Sequence, residues 1–229
     1  MTHFDLLLWD VDGTLLDFKA AEAAAIRALF ARYGLGACPD DMLARYSAIN
    51  QTYWRRLERG ELTRSQILTG RFVEFFRREG LDGPDPEAFN EDYQQALGET
   101  VVCRDRSLEL VATLKGNIPQ YAASNGTVAA QEKKLRLSGF DRLLDGVFLS
   151  ERLGAEKPAR EFFDRAFREI GAVDRERTLI VGDSLTSDIL GGNRAGIRAC
   201  WYNPAGEPNP TEARPDFVIR DLNQVREIL

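Results

Sequence analysis

The chain has 229 residues, with 30 lysines and arginines against 36 aspartates and glutamates for a net charge of −6, dispersed rather than gathered into a stripe. That length holds one sizeable core with room for an inserted module, and the charge balance argues against a general binder of nucleic-acid polymers. Three widely spaced cysteines, Cys38, Cys103 and Cys200, read as reduced thiols of a cytoplasmic protein, and with no basic leader and no long apolar run neither a signal peptide nor a membrane span is expected.

The first apolar run, Leu6–Val11, is bounded by polar residues and predicts a strand buried on both faces of a parallel sheet. It leads into Asp10-Val11-Asp12-Gly13-Thr14, where the two-residue spacing puts both carboxylates on one side of the chain and Gly13 permits a sharp turn. Taken alone, the pair also fits loop or N-cap aspartates.

Residues 16–100 carry helical periodicity without a convincing strand and are expected to form a helical cap inserted into a core of residues 1–15 and 101–229. Ile26, Leu29, Phe30 and Tyr33 share one helix face; Met42, Tyr46, Ile49, Tyr53 and Leu57 a second; Leu68, Phe72, Phe75 and Phe76 a third. Thr63 followed by Gln66 predicts a capping box, with Gly60 as a stop before it.

Further strands are predicted at Ile118–Ala123, Val147–Leu149, Leu179–Val181, Ala199–Tyr202 and Phe217–Ile219, with apolar helical stripes at Phe162, Phe163, Ala166, Phe167 and Ile170 and at Leu222, Val225 and Leu229. Such alternation predicts an α/β fold with a doubly wound, Rossmann-like parallel sheet. Three more motifs fall after these strands. Ser124-Asn125-Gly126-Thr127 could hold a phosphate with the Ser124 hydroxyl and the N–H groups of a helix start, though Ser and Asn there also serve as plain caps. Lys157-Pro158 by itself reads as a solvated loop residue, while Gly182-Asp183-Ser184-Leu185-Thr186-Ser187-Asp188 brings two more carboxylates to the same sheet edge.

Together the motifs interpret one another. Asp10, Asp12 and Asp183 would converge, and two like charges about 4 Å apart repel by about 4 kcal/mol at an effective dielectric near 20. A bound cation relieves that repulsion, and all-oxygen ligation points to Mg²⁺. The single histidine, His3, precedes the first strand and offers no base for a histidine-centred mechanism.

These four motifs, in this order at four strand ends, resemble the haloacid dehalogenase superfamily over nearly the whole chain. The resemblance implies that Asp10 is a nucleophile forming an aspartyl-phosphate. It casts Asp12 as the acid and then the base, and as a backbone-carbonyl ligand of magnesium. Ser124, with Asn125 beside it, and Lys157 then bind phosphate, Asp183 ligates the metal, and Asp188 orients Lys157 or a metal-bound water. Asp12 favours phosphatases over dehalogenases, which lack an acid there, and phosphomutases share the motifs. The stretches Ala48–Trp54, Gly60–Thr63, Gly70–Phe72, Ser187–Gly192, Gly196–Ile197 and Cys200–Pro204 resemble pyrimidine 5′-nucleotidases that also clear noncanonical nucleotides. On that resemblance Trp54 would stack on a base, Asn50 read its polar edge and Arg71 reach a phosphate or sugar, whereas Asn50 and Trp54, four apart on a helix, equally fit packing. The expected ligand is a phosphate monoester, foremost a nucleoside monophosphate, with phosphoglycolate or sugar phosphates as alternatives and a scaffold of the same fold as the non-enzyme alternative. Monomer and homodimer stay equally open.

Overall fold

The computed structural model describes residues 4–172 and 174–229; His3 lies outside them. The chain divides into two compact units, Met1–Phe18 with Val101–Leu229, and Lys19–Thr100.

The first unit is built on a six-stranded, all-parallel sheet of β1 (Leu6–Trp9), β2 (Gln120–Ser124), β3 (Gly146–Leu149), β4 (Thr178–Gly182), β5 (Arg198–Tyr202) and β6 (Phe217–Ile219), in the order β3-β2-β1-β4-β5-β6. All four residues of β1 are buried because helices cover both faces. The strand's period of two sorts its side chains. Leu7, Trp9 and Val11 pack with Leu110 and Val111 of one helix (Ser107–Leu114), Leu135 of another (Val128–Ser138) and Val225 at the C-terminus. Leu6 and Leu8 meet Phe162, Phe163, Ala166 and Phe167 on the helix Arg160–Ile170, each fully buried Phe contributing about 1.5–3 kcal/mol. Polar atoms in the sheet are satisfied in series: the Trp9 indole donates to Gln120 Oε1 (3.1 Å), and Gln120 Nε2 donates to the Val111 carbonyl (3.0 Å). The strand order reverses between β1 and β4, which opens a crevice at their carboxyl ends.

The second unit is helical: α1 (Phe18–Arg32, one residue in the first unit), α2 (Asp40–Glu58), α3 (Arg64–Glu79) and α4 (Pro86–Leu97). An aromatic cluster forms its centre, with Tyr46 stacked on Phe72 at 5.3 Å and Phe72 edge-on to Phe89 at 5.0 Å. Thr63 and Gln66 form the expected capping box, and Gly60 adopts φ +71° after α2. The buried face of α3 holds Phe72, Phe75 and Phe76 as predicted and adds Ile67 and Arg71, while Leu68 is only half-buried. A fourth helix joins the three predicted: the Asp85 side chain accepts from the Ala88 N–H (2.9 Å) and Pro86 starts the helix where a missing N–H costs nothing. At the C-terminus Leu222–Gln224 is a 3₁₀ turn ahead of the short helix Val225–Ile228. No helix among the described residues is long and apolar enough to cross a membrane. Cys38, Cys103 and Cys200 form no disulfide.

Candidate active site

Asp10 follows β1, its N–H still paired with the Val181 carbonyl of β4 (2.9 Å), so its position is set by the central strands. The chain then turns at Gly13, whose φ of +96° disfavours L side chains; a Cβ there would stand 2.4 Å from Asp183 Oδ2. Gly182 serves the other loop the same way, since its Cβ would lie 2.3 Å from Asp188 Cγ. Both glycines make room for carboxylates.

Lys157 is the hub. It is fully buried, and its ammonium donates to Asp10 Oδ1 (3.0 Å), Asp188 Oδ1 (2.5 Å) and the Ala123 carbonyl (2.5 Å). Burial works against the charged lysine, but Asp10 and Asp188 outweigh it and raise its pKa. Asp188 is itself held at Oδ2 by the Ser184 N–H (3.0 Å), so both of its oxygens are engaged. Asp10 is not: Oδ2 is buried without a hydrogen-bond partner among the described residues. Burial first, and then the charge of Asp188, push Asp10 up to about 7 against the pull of Lys157. Asp183 keeps a face open to solvent, yet desolvation by the atoms packed around its carboxylate, followed by the charges of Asp10 and Asp188, raises it well above the ordinary range. Carboxylate oxygens of Asp10, Asp183 and Asp188 all lie within 4.8 Å of one another.

Asn125 clamps the lysine segment: its Oδ1 accepts from the Lys157 N–H (2.9 Å) and its Nδ2 donates to the Lys157 carbonyl (2.8 Å) and to Ser187 Oγ (3.3 Å). Buried Ser124 accepts from the Gly126 N–H (3.0 Å) through its hydroxyl oxygen, which leaves the hydroxyl proton to donate. Of the N–H groups offered by the helix Val128–Ser138, that of Val128 already donates to Glu151 Oε2 (2.6 Å) and that of Ala130 to Thr127 Oγ1 (3.4 Å).

The structure brings Asp12 partners that the sequence reading passed over. Gln131 Nε2 donates to its Oδ2, and Lys134 Nζ donates to its Oδ1 at 2.6 Å. Both donors sit on the buried face of their helix, and a signal existed: Gln131 and Lys134 interrupt the stripe completed by Ala130 and Leu135. On β5, the Trp201 indole N–H donates to the Asp183 carbonyl (3.0 Å) and so holds the other acidic loop.

Within the second unit, Asn50 and Arg71 face each other. Arg71 is 1% exposed and donates to Asn50 Oδ1 (2.7 Å) and Asn90 Oδ1 (2.9 Å), while Asn50 Nδ2 donates to Glu22 Oε1 (2.8 Å). Burial raises the pKa of Glu22 despite hydrogen bonds from Ser47 and Asn50. Trp54, on α2, is half-buried.

An open α/β sheet with acidic groups, a buried lysine and a hydroxyl gathered at the ends of its central strands defines a class, and the family model for haloacid dehalogenase-like hydrolases matches residues 4–196. The chain belongs to that family. It is 38% identical to the hydrolase YfnB of Bacillus subtilis, with 100% of this chain and 97% of that protein aligned. A crystal structure of YfnB bound to magnesium superposes with a TM-score of 0.92 over 99% of both chains. The pyrimidine 5′-nucleotidases PynA of Streptococcus pneumoniae (33% identity, covering 99% of this chain and 95% of PynA) and YjjG of Escherichia coli (29% identity, covering 99% and 98%) are also similar over their full lengths.

Proposed function

We propose that the chain is a magnesium-dependent hydrolase of phosphate monoesters, selective for pyrimidine or noncanonical nucleoside 5′-monophosphates. One observation carries the chemistry: Asp10 has one oxygen tied to Lys157 and the other buried and without a partner among the described residues. A buried acceptor without a donor is costly unless a ligand completes it. The same orphaned oxygen, beside Asp183 and Asp188, fits a hard divalent cation with oxygen ligands. Asp188 already accepts hydrogen bonds at both oxygens, and the family resemblance adds the Asp12 backbone carbonyl, so the ion would be held by Asp10, Asp183 and that carbonyl. When bound, magnesium supplies neutralisation of the clustered carboxylates and of the phosphate's negative oxygens.

In this reading a carboxylate oxygen of Asp10 forms a bond to phosphorus as the ester P–O bond breaks, and Asp12 gives its proton to the departing oxygen. Lys157 and the Ser124 hydroxyl hold the phosphoryl oxygens, with Asn125 keeping the Lys157 backbone in place. Water then attacks the aspartyl-phosphate, its proton passing to Asp12 as the Asp10–phosphorus bond breaks.

The similarity to PynA and YjjG supports nucleotides as substrates. Among the three residues expected to meet the substrate in the cap, Asn50 and Arg71 commit their polar atoms to neighbours within that unit, so Trp54 is the residue we assign to the base. A panel of phosphate monoesters compared by kcat/KM tests this, since that ratio reports differential transition-state binding. Pyrimidine monophosphates should lead, and Trp54→Ala should erode that lead while sparing a small aryl phosphate. Phosphoglycolate or a hexose phosphate ahead by about tenfold, or about 1.4 kcal/mol, would overturn the nucleotidase reading and leave a general phosphatase.

A further inference from the structure

Two polar side chains buried on a helix face need a reason. Lys134 is 1% exposed and Gln131 is fully buried, and neither touches Asp10, Lys157 or Asp183 through any hydrogen bond seen among the described residues. Both reach Asp12, one to each carboxylate oxygen. A carboxylate gripped at both oxygens is fixed in plane as well as in position, whereas a single donor leaves it free to swivel. The grip has further supports. Gly126 leaves the space that Gln131 occupies, since a Cβ at 126 would stand 2.1 Å from Gln131 Nε2. Gln131 Oε1 has no hydrogen-bond partner among the described residues, so the bond to Asp12 is the one seen to orient that amide. The Lys134 ammonium also lies 5.4 Å from the centre of the Phe18 ring.

We propose that Lys134 and Gln131 are positioning residues that hold the Asp12 carboxylate in the orientation from which it takes a proton from the water attacking the aspartyl-phosphate. The proposal rests on the role given to Asp12 above. In that step the water oxygen bonds to phosphorus, one water proton moves to the carboxylate, and the bond from Asp10 to phosphorus breaks, leaving Asp10 as a carboxylate and releasing phosphate. The arrangement seen, with two donors on two oxygens, suits the anionic form of Asp12 that this step requires.

The consequence is a split between the two half-reactions. With 4-nitrophenyl phosphate the phenolate departs without needing a proton, so kcat/KM, which ends at leaving-group release, is insensitive to Asp12; kcat includes the hydrolysis of the aspartyl-phosphate. Lys134→Met should lower kcat by about tenfold, leave kcat/KM within about twofold, and produce a burst of nitrophenolate approaching one per chain with phosphorylated protein trapped on acid quench. Lys134→Arg should restore most of kcat, and Gln131→Leu, which removes only the neutral donor, should show a smaller version of the same split. Thermal unfolding of each variant accompanies the kinetics, and if Lys134→Met does not fold, Gln131→Leu decides. Equal losses in kcat and kcat/KM without a burst, or unchanged kcat, would overturn the positioning role. Asp12→Asn separates this from the underlying reading. If it too gives no burst and retains kcat, the role of Asp12 itself is wrong; if it bursts and the Lys134 and Gln131 variants do not, only the positioning role falls.

Discussion

Two regions of this molecule bury charge, and they do so in opposite ways. In the helical unit, Glu22, Asn50, Arg71 and Asn90 form a chain of hydrogen bonds in which the acid and the base are joined through an amide. At the sheet edge, three carboxylates crowd around one lysine and leave Asp10 Oδ2 unpartnered. The first arrangement is complete without a ligand and the second is not. Burial of a charged residue therefore says little about function until its hydrogen bonds are counted; at Asp10 the open valence lies beside two further carboxylates, and that combination is what fits substrate or metal.

The largest effect that could break this contrast is at the open group. Asp10→Asn should cut phosphate release by about three orders of magnitude or more while the chain still unfolds cooperatively, because the amide keeps the shape and loses the nucleophile. Retention of substantial turnover in Mg²⁺ would remove Asp10 from the chemistry. Next in size, exhaustive treatment with chelator should abolish activity and Mg²⁺ restore it, with Asp183→Ala shifting the magnesium titration to clearly higher concentration. Full activity after metal removal would show that the carboxylates balance their charge by other means.

At the closed network the expected damage is to stability instead. Arg71→Met leaves Asn50, Asn90 and the linked Glu22 without their buried cation and should destabilise the helical unit by about 3 kcal/mol in denaturant unfolding. An unchanged midpoint would mean the network is not structural, and Arg71 would return to consideration as a substrate contact. The last effect concerns pH. Asp10 is raised from 3.8 to about 7, so the metal-free folded chain keeps a proton that the unfolded chain has given up between those values. The contribution of Asp10 to the stability of the chelated protein should therefore fall as pH rises from about 4 to about 7, read as the difference between wild type and Asp10→Asn. A chelated wild-type protein that gains stability relative to Asp10→Asn across the window would contradict the raised pKa.

The sequence alone carried the parallel sheet, because strands buried on both faces read as short apolar runs, and it carried the gathering of Asp10 and Asp183 because each follows a strand whose carboxyl end faces one edge, whereas Lys157, by itself a solvated loop residue, and Asp188 took their roles from the family resemblance. Those are local patterns joined by a rule of topology. Capping signals such as Thr63 with Gln66 were readable for the same reason, being contained within a single turn of helix.

Tertiary structure alone decided where polar side chains without a motif would point. Asn50 and Arg71 lie 21 residues apart on different helices, and only the packing of α2, α3 and α4 shows that they bond to each other and to Asn90. Lys134 and Gln131 reach Asp12 across 122 and 119 residues of chain. Helical periodicity can say that such residues fall on a buried face, but the partner that makes their burial tolerable comes from a distant strand end, and no local pattern encodes it.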